Sequence, residues 1–337
     1  MASPAPHDDT AAAARARDWP RLAPRYRAGD WVEVRSAEEI LATLDERGCL
    51  DGMPFMPEML QHCGKRLRVS KSAHKTCDTV QTYHNRAVVR SVHLEDLRCD
   101  GSAHGGCQAG CLLYWRNAWL KPVAGDDALK DVFGPARIDL EGLHRATRAP
   151  GSGEGADTHY ACQGTELPRF TKELPWWHPR AYLLDLWTGN VDPITFVRFM
   201  ALAAWNVVKR ALTRDQAYPY VPGRGGGAGP RNPLDLKPGE LVQVRSRAEI
   251  MDSLGANRRE HNLWFDVEME PFCGKTFRVL RRVEQLLDEK TGRMLRIKRD
   301  CVILEGVVCG GCRSRNRLFC PRAIFPYWRE VWLKRVE

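Results

Sequence analysis

Eight of the residues able to bind metals or do nucleophilic chemistry fall into two sets with the spacing of metal ligands. In Cys309-Gly-Gly-Cys312 two thiolates stand three positions apart with glycines between, so backbone N–H groups can turn toward sulfur while both ligands reach one cation. Cys320 follows eight positions later, and Cys273 of Cys273-Gly-Lys275 completes a set of four thiolates. Aligning Asp100-Gly101 with Glu305-Gly306 lays His104-Gly-Gly-Cys107 on the second-half knuckle, Cys111 on Cys320 and Cys63 on Cys273. Three cysteines and one histidine make another tetrahedral set, so the reading predicts two Zn2+ ions per chain. Both sets close at four protein ligands, which predicts a structural rather than a catalytic role. Asp100 and Glu305, four residues before each knuckle, are candidate outer carboxylates.

A second group could carry catalysis. Cys162, Glu166 and His178 supply a nucleophile and acid–base partners, with His159 an alternative base. Asp100 would orient the neighbouring zinc site. A histidine ligand is neutral, so the mixed site leaves its zinc the more electrophilic of the two. Chemistry, if there is any, is thus expected where the first zinc set meets the run 159–190. Cys49, Cys77, Cys99 and Cys301 read as inert core thiols. Trp176-Trp177 reads as packing or as a docking surface.

The elements that position these groups come as a duplication. Gly29-Asp-Trp-Val-Glu-Val-Arg-Ser36 returns as Gly239-Glu-Leu-Val-Gln-Val-Arg-Ser246, and sixteen of the 41 positions from Gly29 to Val69 are identical at an offset of 210. Tyr114-Trp-Arg-x-x-Trp-Leu-Lys121 returns as Tyr327-Trp-Arg-x-x-Trp-Leu-Lys334 at an offset of 213. Each copy should open on a half-buried strand, and a capping box at Ser36/Glu39 starts a short helix. The Gly292 turn should join Val279–Val283 to Met294–Ile297 as a hairpin. Trp115/Trp119 and Trp328/Trp332, four apart, should share a helical face. The expected fold is mostly β with α insertions: two SH3-like barrels, each with a zinc site, joined by a helical middle segment. The boundaries are a disordered tail at 1–28, copy one at 29–123, a middle region at 124–221, a Gly/Pro linker at 222–237 and copy two at 238–337. A helix from Ile194 to Leu212, started by Asp192-Pro193, is apolar nearly all round except Arg198, Asn206 and the Lys209-Arg210 end, and is expected to be buried against a neighbour rather than laid on a membrane, since it lacks a charged face.

Hydrophobic residues are 43% and charged residues 28%, a globular composition. The N-terminus has no apolar export segment, no run is long enough to span a bilayer, and twelve cysteines then suggest a reducing, cytoplasmic setting. Of the net charge of +9, residues 231–337 carry +7. Arg281, Arg282, Arg293, Arg296, Lys298 and Arg299 could line a ribbon for nucleic acid, but no recognition motif accompanies them.

Gly52-Met-Pro-Phe-Met-Pro-Glu-Met59, followed by His104-Gly-Gly-Cys-Gln-Ala-Gly-Cys111, resembles an uncharacterised family of bacterial zinc-binding-type proteins over most of the chain. Its members are encoded among genes for polysaccharide or specialised-metabolite assembly. The resemblance implies a biosynthetic role and brings no activity or site residues with it. The leading expectation is a zinc protein binding a small-molecule substrate, a carrier or a partner enzyme of such a pathway. The alternatives are a metal-dependent enzyme acting on a small metabolite and a nucleic-acid binder using copy two.

Overall fold

The computed structural model describes residues 26–80, 84–124, 135–153, 155–175, 178–213, 220–224, 234–298, 300–314 and 317–336. The tail to residue 25, Gly225–Gly227 of the expected linker, Trp176-Trp177, Arg299 and Arg315 lie outside the described residues.

The first repeat runs through β1 (Trp31–Val34), α1 (Ala37–Leu41), β2 (Cys49–Leu50), β3 (Met53–Pro54), a 3-10 turn at Pro57–His62, β4 (Arg66–Ser72), β5 (Lys75–Cys77), β6 (Asn85–Val88), β7 (Ser91–Leu94), β8 (Trp115–Arg116) and β9 (Leu120–Pro122). The middle region holds α2 (Leu140–Arg145), α3 (Leu167–Phe170), β10 (Thr171–Glu173), α4 (Pro179–Trp187) and α5 (Pro193–Thr213). The second repeat comprises β11 (Leu241–Val244), α6 (Arg247–Ser253), β12 (Arg259–Glu260), β13 (Leu263–Trp264), a 3-10 turn at Glu270–Phe272, β14 (Thr276–Arg282), β15 (Gln285–Leu287), β16 (Met294–Arg296), β17 (Cys301–Leu304), β18 (Trp328–Arg329) and β19 (Leu333–Arg335).

Most of this is β structure, in six small sheets. The two largest share one plan: β8-β7-β4-β1-β9 in the first half and β18-β17-β14-β11-β19 in the second. Trp31 pairs with Arg68 as Leu241 pairs with Arg278, and Val69 pairs with Leu94 as Val279 pairs with Leu304. Both central strands carry a register irregularity at the same place, Val69/Lys71 and Val279/Arg281. Alternation sets this register, because a one-residue slip would turn every buried valine to solvent. Ser36 and Ser246 cap α1 and α6 as expected, each accepting the N–H of the Glu three residues on while that Glu takes the Ser N–H.

The sheets are open in their pairing; among the described residues no hydrogen-bonded strand pair closes either into a ring. The chain instead crosses from one edge strand to the other through a 3-10 turn, Asn117–Trp119 or Glu330–Trp332. The four-residue tryptophan spacing is therefore strand plus 3-10 turn, not the expected helical face. Both indoles of each copy still point inward, and Trp119 and Trp332 are fully buried. Trp119 packs edge-on to Phe55 at 5.2 Å and donates to Thr43; Trp332 does the same with Phe265 at 5.3 Å and with Ser253. The hairpin also differs. Gly292 turns it with positive φ, but its strands are β15 and β16, not Val279–Val283, because β14 is already paired on both edges.

The middle region is welded to the first repeat. Fully buried Lys75 of β5 forms an ion pair with Asp185 of α4, and His74 donates to the Ala181 carbonyl at 3.0 Å with its Nε2 3.2 Å from the same carboxylate. Asn190 pairs with the Ser72 backbone twice, at 2.8 Å each. Helix α5 has the expected start, with Asp192 accepting from the Thr195 N–H. It does not have the expected burial, since Ile194, Val197, Trp205 and Leu212 are exposed.

Candidate metal centre

One group among the described residues brings three metal-ligating atoms within 4.8 Å of one another: Glu58, Cys99 and His104. Each is placed by a different local device. Pro57 opens a 3-10 turn whose second residue, Glu58, points into the core. Cys99 follows β7 and is held by its N–H to the Cys111 carbonyl, 2.8 Å. His104 sits on a loop that can bend only at glycine: a Cβ on Gly101 would lie 2.1 Å from the Cys107 carbonyl oxygen, and Gly101 has φ +76.

Glu58 Oε1 accepts from His104 Nδ1 at 2.6 Å, from the Ala103 N–H at 3.3 Å and from the Cys99 thiol at 3.6 Å. His104 Nε2 donates to the Ala161 carbonyl at 3.1 Å. Burial alone would raise the Glu58 carboxyl, but the His104 hydrogen bond and charge, with local N–H groups, hold it below the usual carboxylate range. Glu58 Oε2 is buried with no partner. Desolvation, then the Glu58 charge, pushes the Cys99 thiol far up. A bound cation would reverse that, since a coordinating thiol is deprotonated.

The second repeat shows which part of this is scaffold. Glu268, 210 residues on from Glu58, accepts the N–H groups of Cys312, Arg313 and Ser314 at 2.7–3.0 Å. A carboxylate at this position therefore ties down the loop after β7 or β17 in both copies. Cys309 stands where Cys99 does, each N–H meeting the carbonyl on the returning chain, Ile324 and Cys111 respectively. Ser314 takes the place of His104, so the imidazole belongs to the first copy alone.

This register differs from the sequence alignment, which placed Cys309 on His104 and Cys320 on Cys111. Strand pairing keeps the 210 offset through Leu94 and Leu304, so the knuckles are shifted by five residues and are not equivalent. Of the eight predicted ligands, the structure brings His104 alone into the cluster. Cys63 and Cys273 end their 3-10 turns half-buried against the two cores. Cys107 Sγ accepts from the Leu287 N–H at 3.3 Å, and Cys312 donates to the Gly310 carbonyl at 3.1 Å. Cys320 accepts from the Cys77 N–H at 3.2 Å. Burial raises the Cys320 thiol, but a hydrogen bond from Cys77, backbone N–H groups and the Arg322 charge outweigh it and bring it below the usual thiol value; Cys77 moves up.

Cys99 and Cys77, read from sequence as inert, thus both have polar partners. Sequence reasoning missed Glu58 and Cys99 as members of a group that could hold a metal ion. Glu58 was visible as half of the repeated Glu-Met pair, but nothing in the pattern marked a carboxylate as a ligand. Of the catalytic candidates, Cys162 and Glu166 share one turn, the Glu166 N–H meeting the Cys162 carbonyl at 3.0 Å. Cys162 borders the centre next to Ala161, and desolvation pushes its thiol up to about 12. Glu166 is bound by Arg169 at 2.9 Å and Arg47 at 3.7 Å. His178 heads α4 in front of Pro179. Asp100 takes the Ser102 N–H at 2.8 Å, shaping the loop turn. His159 lies against the β15–β16 hairpin, with Nδ1 2.8 Å from the Thr291 carbonyl and Nε2 accepting from Arg293.

No family model, curated protein or solved structure matches this chain.

Copy two reaches into the centre's outer wall. Gln285 donates to the carbonyls of Gly105 and Gly106 at 3.0 Å each, and Gln108 Oε1 accepts the N–H groups of Glu284 and Gln285. On the other side Ala161, which meets His104, also lines a cleft of about 1020 Å³. Its lining carries both signs beside apolar Leu41, Pro54 and Ile138: Arg47, Arg137, Arg145, Arg148 and Arg169 stand with Glu46, Asp139, Glu141 and Glu166, and Arg145 pairs with Glu141 while Arg169 and Arg47 pair with Glu166.

Proposed function

We propose that Glu58, Cys99 and His104 hold one zinc ion, and that the protein binds an anionic small metabolite in the cleft behind Ala161. The observation that carries this is the convergence of carboxylate, thiol and imidazole beside a buried, unpartnered Glu58 oxygen. Thiolate plus imidazole selects zinc over calcium or magnesium. Arg137 and Arg148, the lining arginines outside the ion pairs with Glu141 and Glu166, support the ligand class, because arginine forks match carboxylate and phosphate groups. The role in bacterial polysaccharide or specialised-metabolite assembly, in the cytoplasm, is part of this proposal and rests on the motif resemblance. The nucleic-acid reading is disfavoured, since Arg282 is committed to Asp300 and Glu330, Arg293 to His159, and Arg317 to Asp266.

A specific observation favours an enzymatic second reading. Three protein ligands leave a fourth tetrahedral position, which a catalytic zinc reserves for water or substrate. Ala161, whose carbonyl meets His104 Nε2, also lines the cleft.

Elemental analysis should find one zinc per chain, abolished by His104→Ala. Two ions would restore the all-cysteine set of copy two as a second site. Cobalt substitution supplies an independent reading: a thiolate-to-cobalt absorption band should appear and vanish in Cys99→Ser. A chain that takes up neither metal after reconstitution overturns the proposal.

A further inference from the structure

We propose that Cys77 and Cys320 are a peroxide-reactive thiol pair, a site at which a disulfide joins the two repeats. Cys77 ends β5 of copy one, and Cys320 lies on the copy-two loop before β18, 243 residues away. Phe319 anchors that loop by stacking on Phe196 of α5, with centroids 5.2 Å apart. The Cys77 N–H donates to Cys320 Sγ at 3.2 Å, and the two thiols are themselves hydrogen-bonded. The Arg322 N–H reaches the same sulfur, so three donors converge on Cys320 Sγ. Buried Arg322 also sets its guanidinium beside the pair, donating to the Cys77 carbonyl at 3.2 Å while ion-paired with Glu289.

An ordinary core thiol has other surroundings. Cys301 packs against Val283, Ile303 and Phe325, and burial pushes its thiol up to about 11. Burial opposes charge on Cys320 too, but the Cys77 thiol, the N–H groups and the Arg322 charge outweigh it and bring Cys320 below the usual thiol value. The hydrogen bond to Cys320, then burial, push Cys77 up. Cys320 is therefore the nucleophile, and Cys77 holds the proton. Cys77 is 1% exposed and Cys320 5%, which selects a small oxidant, hydrogen peroxide, over a bulky disulfide. The Cys320 thiolate attacks one peroxide oxygen and the O–O bond breaks. The departing hydroxide takes up the proton that Cys320 released and leaves as water. The sulfur of Cys77 then attacks the resulting sulfenic acid, forming the S–S bond, and the displaced hydroxide leaves with the Cys77 proton as a second water. Two thiols and one hydrogen peroxide thus give one disulfide and two waters. The bond turns a hydrogen-bonded contact between the repeats into a covalent one that thiol reductants reverse.

The test treats the reduced, full chain with hydrogen peroxide, blocks the remaining thiols with iodoacetamide in guanidinium and maps the peptides by mass spectrometry. The Cys77 and Cys320 thiols should be lost together, in one cross-linked species that dithiothreitol reverses. Cys77→Ala should strand Cys320 as a sulfenic acid that dimedone traps, whereas Cys301→Ala should leave the cross-link unchanged. A folded chain in which both thiols survive peroxide, or pair with other cysteines, overturns the inference. So does protection of both thiols by added zinc and its loss on chelation, which would make the pair a metal site. The readout is the Cys77–Cys320 peptide itself, so its outcome is separate from zinc content at Glu58, Cys99 and His104.

Discussion

At the residue scale, the buried polar side chains divide by whether they are answered. Glu58 and Glu268 occupy equivalent places and bind the same loop backbone, yet only Glu58 has an imidazole at its second partner position. One substitution, serine for histidine, thus separates a loop clamp from a candidate metal centre. His93 is a cleaner case of an unanswered group. It is fully buried on β7, with Nδ1 donating to the Leu113 carbonyl at 2.9 Å and Nε2 without a partner. Burial pushes it down from 6.5 to about 4. The folded state therefore favours neutral His93, whereas the unfolded chain gains a proton as pH falls below about 6.5. This contribution is intact above that pH and is lost between about 6.5 and 4, at about 1.4 kcal/mol per pH unit. Urea unfolding at several pH values should show that slope, and His93→Gln should lessen it over the same window. A variant with an unchanged slope would refute the assignment.

At the element scale, helix packing depends on which faces find a partner. Helix α4 is held to β5 by Lys75–Asp185, an ion pair with both side chains fully buried. Removing one partner of such a pair strands a charge, so Asp185→Ala should cost about 3–5 kcal/mol. Replacing both with apolar residues, Lys75→Met with Asp185→Leu, should recover most of that loss in thermal or chemical unfolding. A double variant as unstable as the single would mean that His74 and Asn190, which share the carboxylate, dominate instead. Helix α5 found a partner for one side only. Its all-round apolar sequence predicted burial because periodicity cannot tell a protein neighbour from another apolar surface.

On the scale of the whole molecule, the two repeats are coupled through the loop that carries His104. Gln285 and Gln108 stitch that loop to β15, and buried Arg322 of copy two forms an ion pair with Glu289 while donating to the Cys77 carbonyl of copy one at 3.2 Å. Each repeat thus completes polar groups of the other. Calorimetry should show a single cooperative transition for the intact chain, and Gln108→Ala with Arg322→Met should split it in two. Two transitions in the unaltered protein would show that the repeats fold independently.

The sequence by itself determined the local periodicities. The strand alternation of the two matching segments, the capping box at Ser36/Glu39, the Gly292 turn and the Asp192-Pro193 start of α5 are all written in short-range patterns, because alternation, caps and turns depend on neighbours within a few residues. It also picked out His104, which the structure places in the group able to hold a metal ion. Only the tertiary structure brought together the group that could hold a metal. Cys99 and Glu58 are 41 residues apart, and the knuckles lie beyond the last residues whose register the strands fix. A loop of different length in each copy left the sequence alignment free to slip by five residues, and no composition rule forbids that slip. Strand pairing forbids it, since the hydrogen-bond ladder carries the 210 offset to the end of β7 and β17 and delivers Cys99, not His104, to the place of Cys309.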